Sequence, residues 1–250
     1  MMKRMPWRNM AMLFSLLMFS LSCGSLFDSC HACPPPPDYT GSWSGSIEVP
    51  TIGSGGSIDM AMVQSGTNLQ ATRLQISSLI GPPDCGSSGI MTGSINISDI
   101  TMTITENTGD VLSLKGTIGA ASMSGTYTST GTCTAGIRGS FSFTQMPLIT
   151  SSQWSGTISS STATSTFTAN LTEDTHANLT GTVQFAGTAC PNAINVTGNL
   201  TGRQVFFQDT QGRSLVTASG SLSGSEAKDM SGFASGSCTS GGGNLTMTRP

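Results

Sequence analysis

GSWSGSIEVP, at residues 41–50, and SSQWSGTISS, at residues 151–160, are two versions of one phrase about 110 residues apart. In the first, Trp43, Gly45, Ile47 and Val49 alternate with serine and glutamate. Period-two alternation with one polar face is typical of a half-buried antiparallel strand. Because the segment recurs, we expect the chain to contain two similar domains, each of which begins with this strand.

The repeat extends well beyond this strand. The spacing from Cys85 to Cys133 is 48 residues, and the spacing from Cys190 to Cys238 is also 48. Other landmarks recur in the same order: NLQATRLQI and NLTGTVQF, TGSI and TGNL, MSGTYTSTGTC and MSGFASGSC, GSFSFTQMP and GNLTMTRP. A duplication explains this order and predicts two domains, at residues 39–148 and 150–250.

Each unit contains about eight alternating segments joined by short turns such as QSGTN, ENTGD and DTQGR. Glycines on the inward parity permit sharp coiling. The sequence therefore predicts an all-β fold of two tandem, antiparallel, up-and-down eight-stranded β-barrels. One strand departs from strict alternation: Leu69 and Ala71 have one parity, and Leu74 and Ile76 have the other. One extra residue near Arg73 predicts a β-bulge.

The cysteines provide a test of this fold. In a meander, Cys85 lies between the third and fourth strands and Cys133 between the seventh and eighth, at the same end of the barrel. The predicted disulfides are therefore Cys85–Cys133 and Cys190–Cys238. Two immunoglobulin-like sandwiches are the alternative fold, although there the tryptophan lies between the two cysteines, whereas Trp43 precedes Cys85.

The TGSWSG opening at residues 40–45, the SGTY strand at residues 124–127 and the closing apolar strand resemble small lipocalin-like and avidin-like barrels. The units also resemble those of uncharacterised bacterial lipoproteins. This resemblance implies a barrel that holds a small ligand, with the tryptophan at its floor. Many inward positions of the strands carry methionine, whose flexible side chain adapts to apolar ligands of varied shape. The predicted ligand contacts are Trp43, Met60, Met62, Met102, Trp154 and Phe207. A core filled by these same side chains is the alternative.

The first 22 residues have the pattern of an export signal. Lys3, Arg4 and Arg8 precede an apolar segment too short to span a bilayer stably. The segment ends at Ser22-Cys23-Gly24, which resembles the lipobox of bacterial lipoproteins, although Ser20 stands where that pattern prefers leucine. The resemblance implies acylation of Cys23, for example by palmitate, and Gly24 implies the outer membrane. An ordinary secretory signal is the alternative. Residues 23–38, with four consecutive prolines, predict an extended tether.

Composition and charge exclude several functions. Removal of the signal would leave seven basic and 13 acidic residues, a net charge of −6, which disfavours nucleic acid. His31 in the tether and His176 in a predicted turn supply neither a catalytic triad nor a histidine-rich metal site. The acidic pairs fall at predicted turns, where turn chemistry explains them better than catalysis. These pairs are Glu106 with Asp110 and Glu173 with Asp174.

Cys30 and Cys33 form a C-x-x-C motif within the tether. A thioredoxin-like redox site would need a βαβ unit, and a c-type haem would need a histidine after the second cysteine, where Pro34 stands. A structural disulfide is therefore the better interpretation. We expect no enzyme activity, no metal and no cofactor. Two functions remain: an envelope lipoprotein that binds a small apolar ligand, or one whose filled barrels contact envelope partners.

Overall fold

The alternating segments form strands throughout the computed structural model, which describes residues 37–50, 54–78, 88–132, 136–150, 152–187, 190–239 and 241–250. The first eight strands are β1 (Gly41–Val49), β2 (Ser54–Ser65), β3 (Asn68–Ser78), β4 (Gly89–Asn96), β5 (Asp99–Glu106), β6 (Val111–Ile118), β7 (Ser122–Thr130) and β8 (Arg138–Gln145). The next eight are β9 (Ser152–Ser159), β10 (Thr164–Glu173), β11 (Asn178–Phe185), β12 (Ile194–Thr201), β13 (Gln204–Asp209), β14 (Thr217–Ser223), β15 (Asp229–Ser235) and β16 (Gly243–Thr248). A short 3₁₀ turn, Ser237–Thr239, precedes β16.

Each set of eight strands closes into an antiparallel barrel with neighbours in chain order. In the first barrel β1 pairs with both β2 and β8. In the second, β9 pairs with both β10 and β16. The predicted pair of eight-stranded barrels is confirmed, and the sandwich alternative is wrong because each sheet closes on itself. Closure leaves neither sheet with an unpaired edge.

Glycines on the inward parity allow the strands to coil closely. A Cβ at Gly45 would overlap the carbonyl oxygen of Ser142 and the ring of Phe143 across the β1–β8 pair. A Cβ at Gly156, the equivalent position of β9, would lie 2.7 Å from the ring of Phe167. The third residue of the Trp-Ser-Gly motif is therefore glycine because atoms of the neighbouring strands occupy the space that a Cβ would need.

The predicted bulge is present in β3. The register against β2 shifts between Ala61 and Met62, so that Ala61 lies opposite Arg73 and Met62 opposite Ala71. Thr72 is the extra residue, and its hydroxyl donates to the carbonyl oxygen of Ala61 at 3.3 Å. The corresponding strand β11 pairs with β10 in an unbroken register. The change of side-chain parity in the sequence has therefore identified a real feature of the backbone.

The two barrels belong to one compact unit, Asp38–Pro250. Arg73 extends from the bulge to the second barrel, where its guanidinium donates to the carbonyl oxygens of Leu200, His176 and Ala177 at 3.2, 2.9 and 2.8 Å. Nearby, the amide of Arg203 in the β12–β13 turn donates to the carboxylate of Asp59 at 3.0 Å. We call these contacts the joint between the barrels.

Candidate functional site

The predicted ligand contacts all point into the barrels. Trp43, Met60, Met62 and Met102 lie in the core of the first barrel, and each is at most 3% exposed. Trp43 and Met60 are direct partners across β1 and β2. The two further predicted contacts, in the second barrel, lie in a separate core and are equally buried; they are Trp154 and Phe207. The structure thus brings together the residues of each barrel but does not form one shared cavity from them.

The end of the first barrel at which β1 begins is closed around tryptophan, and we call it the tryptophan end. The indole Nε1 of Trp43 donates to the carbonyl oxygen of Tyr39 at 2.9 Å. The side-chain oxygen of Gln64 accepts from the Tyr39 amide at 2.9 Å. Thr40 completes the closure, since its hydroxyl accepts from the Gln64 amide at 3.1 Å. Neutral hydrogen bonds therefore hold the segment before β1 across this end.

The second barrel closes its tryptophan end with an ionisable group. Glu173, the last residue of β10, is 7% exposed, and its carboxylate accepts from the amide of Ile149 at 3.0 Å. Burial raises the pKa of Glu173 to about 7, and Asp174 adds to this effect; the Ile149 hydrogen bond and the charges of Arg249 and Arg73 oppose it.

Trp154, near the start of β9 at the same end of the barrel, is held differently from Trp43. Its indole Nε1 is buried and finds no hydrogen-bond partner among the described residues. The guanidinium of Arg249 instead lies over the Trp154 ring, 5.3 Å from the ring centroid. A cation over the ring contributes about 0.5–1 kcal/mol at an exposed site and more when it is desolvated.

The opposite end of the second barrel carries the disulfide Cys190–Cys238, with Cα atoms 5.8 Å apart. Cys190 lies between β11 and β12, and Cys238 lies in the 3₁₀ turn before β16. The amide of Cys238 also donates to the carbonyl oxygen of Leu215, in the β13–β14 connection, at 3.0 Å. Three connections are therefore fastened together at this end, and the predicted pairing and placement are confirmed for this barrel.

The remaining predicted cysteine sites lie outside the described residues. They are the lipidation site Cys23, the C-x-x-C pair Cys30 and Cys33, and the pair Cys85 and Cys133. The acylation of Cys23 and both further disulfides stay predictions.

The acidic pairs have mixed environments. Asp174 does what turn chemistry predicts: its carboxylate accepts from the amides of His176 and Asn178 at 2.9 and 2.8 Å. His176 is exposed in that turn. Glu173 and Glu106, in contrast, end their strands with buried side chains, each 7% exposed. The sequence predicted both glutamates at turns, whereas the structure places each as the last residue of its strand, and the linker after β8 covers Glu173.

Three of the grooves formed by the described residues lie on the outer surface of the barrels. The first, of about 600 Å³, crosses a serine- and threonine-rich wall of the second barrel formed by β9, β10, β11 and β16. The second, also of about 600 Å³, crosses the wall formed by β12–β15 and reaches Gln75 of the first barrel. The third, of about 430 Å³, lies between the barrels beside Asp59 and Arg203. Surfaces of this size are open to partners without any rearrangement of the cores.

The second groove contains two aromatic residues that the sequence analysis missed, Phe206 and Phe233. Both stand on the outward parity of their strands, and Phe233 is 52% exposed. The signal was present in the sequence: Met230, Gly232 and Ala234 are the inward residues of β15, so Phe233 is an aromatic residue on the polar parity.

No group of three or more histidine, cysteine or acidic side chains that could hold a metal ion occurs among the described residues. In the same part of the chain, no helix is long and apolar enough to cross a membrane.

Comparisons with known proteins establish no family for this chain. No family model matches it, and a search of curated proteins finds no match. Among solved structures, it is similar to a protein of unknown function of the DUF3598 family from Nostoc punctiforme, with 12% identity, coverage of 84% of this chain and 95% of that chain, and a TM-score of 0.22. It is also similar to a protein provisionally assigned as AttH from Nitrosomonas europaea, with 13% identity, coverage of 83% and 91%, and a TM-score of 0.20. Similarity at this level carries no argument about fold or function.

Proposed function

We propose that this chain is a non-enzymatic lipoprotein of the bacterial cell envelope, whose two filled barrels are a rigid scaffold that presents outer surfaces to an envelope partner. One observation carries the scaffold part of the proposal. Large side chains are completely buried inside both barrels, whereas the three grooves lie on outer walls and between the barrels.

The contents of the first barrel support a filled interior. Trp43, Met60 and Phe143 are each 0% exposed, and Met62 is 1% exposed. An eight-stranded barrel is just wide enough for its own side chains or for one small ligand. A ligand inside would have to displace these groups, so the interior better fits a scaffold than the apolar-ligand carrier that the resemblance implied.

The location rests on the N-terminal sequence. The basic start, the short apolar segment and Cys23 support export followed by acylation, and residues 23–38 then act as a tether. In this proposal the anchor lies in the outer membrane, and the partner is a component of the same envelope.

The anchor is tested with Cys23→Ala in cells that produce the full chain. We expect the variant to lose metabolic labelling with a palmitate analogue and to leave the membrane fraction. The neighbouring substitution Ser25→Ala is the matched control and should keep both properties. A Cys23→Ala protein that stays labelled and membrane-bound would show that the anchor lies elsewhere.

The filled interior is tested by titration of the full chain with a dansyl-labelled fatty acid. We expect no saturable binding to the unchanged protein. Met60→Ala removes buried volume from the first barrel and should create a weak site, which serves as the positive control. Saturable binding to the unchanged protein that weakens in a Met62→Trp variant would replace the scaffold with the apolar-ligand carrier.

A further inference from the structure

The groove on the outer wall of β12–β15 contains two parallel rows of outward side chains. Phe206 faces Asn199 on one neighbouring strand and Ser219 on the other, and Ser219 faces Phe233. This series is the aromatic row: Asn199, Phe206, Ser219 and Phe233.

The second row lies two residues away from the aromatic row along each strand. Gln204 faces Thr201 and Ser221, and Ser221 faces Ser231. Every member of this series, which we call the hydroxyl row, carries a hydroxyl or a side-chain amide. Gln75 of the first barrel borders the same groove. One row of the wall therefore carries two aromatic rings separated by polar side chains, and the next row consists of donors and acceptors only.

The aromatic row is open to solvent. Phe233 is 52% exposed and is the only aromatic residue among the four exposed large hydrophobic residues in the described part of the chain. Phe206 is half-buried two strands away. Neighbouring strands lie about 4.8 Å apart, so the two aromatic residues stand roughly 10 Å apart on either side of Ser219. Covering an exposed aromatic ring of this kind with a flat apolar surface is favourable, because it removes the ring from water.

None of the side chains that line this groove carries a formal charge. The adjoining groove between the barrels shares Gln204 and Ser221 with it and continues onto hydroxyl groups of the first barrel. Asp59 and Arg203 supply the charges of that adjoining groove: the Asp59 carboxylate accepts from the backbone amide of Arg203, and the Arg203 guanidinium donates to the carbonyl oxygen of Gly224 at 3.2 Å. The two grooves together offer a long, mostly uncharged surface.

We infer that the aromatic and hydroxyl rows bind a neutral saccharide chain. A pyranose ring has a flat face of C–H groups and an edge of hydroxyls, and the two rows match these in the same order. Hydroxyls and amides both donate and accept, as sugar hydroxyls do. A hydrocarbon ligand would leave the hydroxyl row buried without partners, which is costly. An anionic chain would find no cation in the groove of the two rows.

This inference goes beyond the proposed function, and it rests on the outer wall of the second barrel and on the surface of the first barrel that borders it. It holds or fails independently of the lipid anchor and of the filled interiors.

The test uses the full chain and a panel of neutral hexasaccharides: maltohexaose, cellohexaose and the N-acetylglucosamine hexamer, with an alginate hexamer as the anionic comparison. We expect isothermal titration to detect binding to at least one neutral member and weaker or no binding to alginate. Phe233→Ala should lower that affinity at least tenfold, and Phe233→Trp should keep it. Ile90→Ala, which removes another exposed hydrophobic residue from the first barrel, should leave it unchanged.

Thermal melts of all variants separate binding from folding, since Phe233 is largely exposed and its loss should change the melting temperature little. Binding to no neutral member, or to alginate alone, overturns the inference. So does a neutral saccharide that binds equally well to Phe233→Ala. If saccharides fail to bind while Phe233→Ala loses an envelope protein that co-purifies with the unchanged chain, the wall is a protein interface instead.

Discussion

The two barrels close their tryptophan ends at the same position of the fold but with different chemistry. Gln64 and Glu173 lie at corresponding positions near the ends of β2 and β10, and each side chain accepts a hydrogen bond from a backbone amide of the segment before the tryptophan strand. In the first barrel the acceptor is neutral and the tryptophan Nε1 is bonded. In the second the acceptor is a carboxylate with a raised pKa, and Nε1 has no described partner.

The duplicated fold therefore needs a hydrogen-bond acceptor at that position, but not a charge. The carboxylate is the more costly choice, because burial disfavours its ionised form. The joint shows a second difference, since the bulged strand β3 provides the guanidinium of Arg73, whereas its unbulged counterpart β11 provides an acceptor, the side-chain oxygen of Asn178 at 3.3 Å. Substitutions at the equivalent positions of the two barrels should therefore have unequal effects on stability.

The largest effect should come from the disulfide at the far end of the second barrel. The double substitution Cys190→Ser with Cys238→Ser opens a loop of 48 residues and should cost about 4 kcal/mol on the chain-entropy model. Urea unfolding measures the loss. Non-reducing peptide mapping provides the comparison: we expect Cys85 to be joined to Cys133, as in the second barrel. Cys85 joined to Cys190 in the unchanged protein would contradict the equivalence of the two barrels.

Glu173→Gln gives the second barrel the chemistry of the first. Because the folded-state pKa of Glu173 is raised to about 7, the ionised carboxylate destabilises the fold. The resulting loss in the free energy of unfolding is absent below pH 4.5, the pKa of an unfolded-state glutamate. It grows as the pH rises towards the folded-state pKa and is complete above about pH 7. We therefore expect Glu173→Gln to stabilise the protein by about 2–3 kcal/mol at pH 8 and by almost nothing at pH 4.

The reciprocal change, Gln64→Glu, is the matched control. It should destabilise the first barrel at pH 8 and much less at pH 4. Melting temperatures across this pH range measure both variants. A Glu173→Gln variant with the same stability gain at both pH values would show that the effect is not ionisation.

Arg73→Ala should weaken the joint by about 2 kcal/mol, since it removes charge-assisted hydrogen bonds to three backbone carbonyls of the second barrel. Calorimetry should show a broader or divided transition as the barrels uncouple. Arg138→Ala removes the same charge from an exposed position of β8 and should leave the transition unchanged. Equal effects of the two substitutions would mean that the joint contributes no measurable coupling.

The smallest effect concerns the tryptophans. Trp43→Phe and Trp154→Phe remove the same buried volume, but only the first removes a described hydrogen bond of the indole. We expect Trp43→Phe to be about 1 kcal/mol more destabilising than Trp154→Phe. Chemical denaturation of the two variants side by side measures the difference. The reverse order would indicate that Trp154 has a stronger interaction than its contact with Arg249.

Sequence alone predicted the barrels, their strand count, the bulge and three disulfides, of which the structure describes one. These features are readable because they depend on local alternation and on spacing along the chain. In an up-and-down meander the hydrogen-bonded neighbours are also the neighbours in sequence, so little non-local information is needed. The change of parity between Ala71 and Leu74 was therefore sufficient to reveal the bulge.

The contacts at the ends and outer walls of the barrels depend on how distant segments of the chain pack together. Glu173 is buried because the linker residue Ile149 packs across the end of β10, and Arg73 acts in the joint because carbonyls more than 100 residues away meet it. The groove of Phe206 and Phe233 likewise combines four strands with Gln75 of the other barrel. Each of these contacts joins chain segments that no local pattern relates, so burial, pKa and surface complementarity were fixed only when the two barrels closed and packed together.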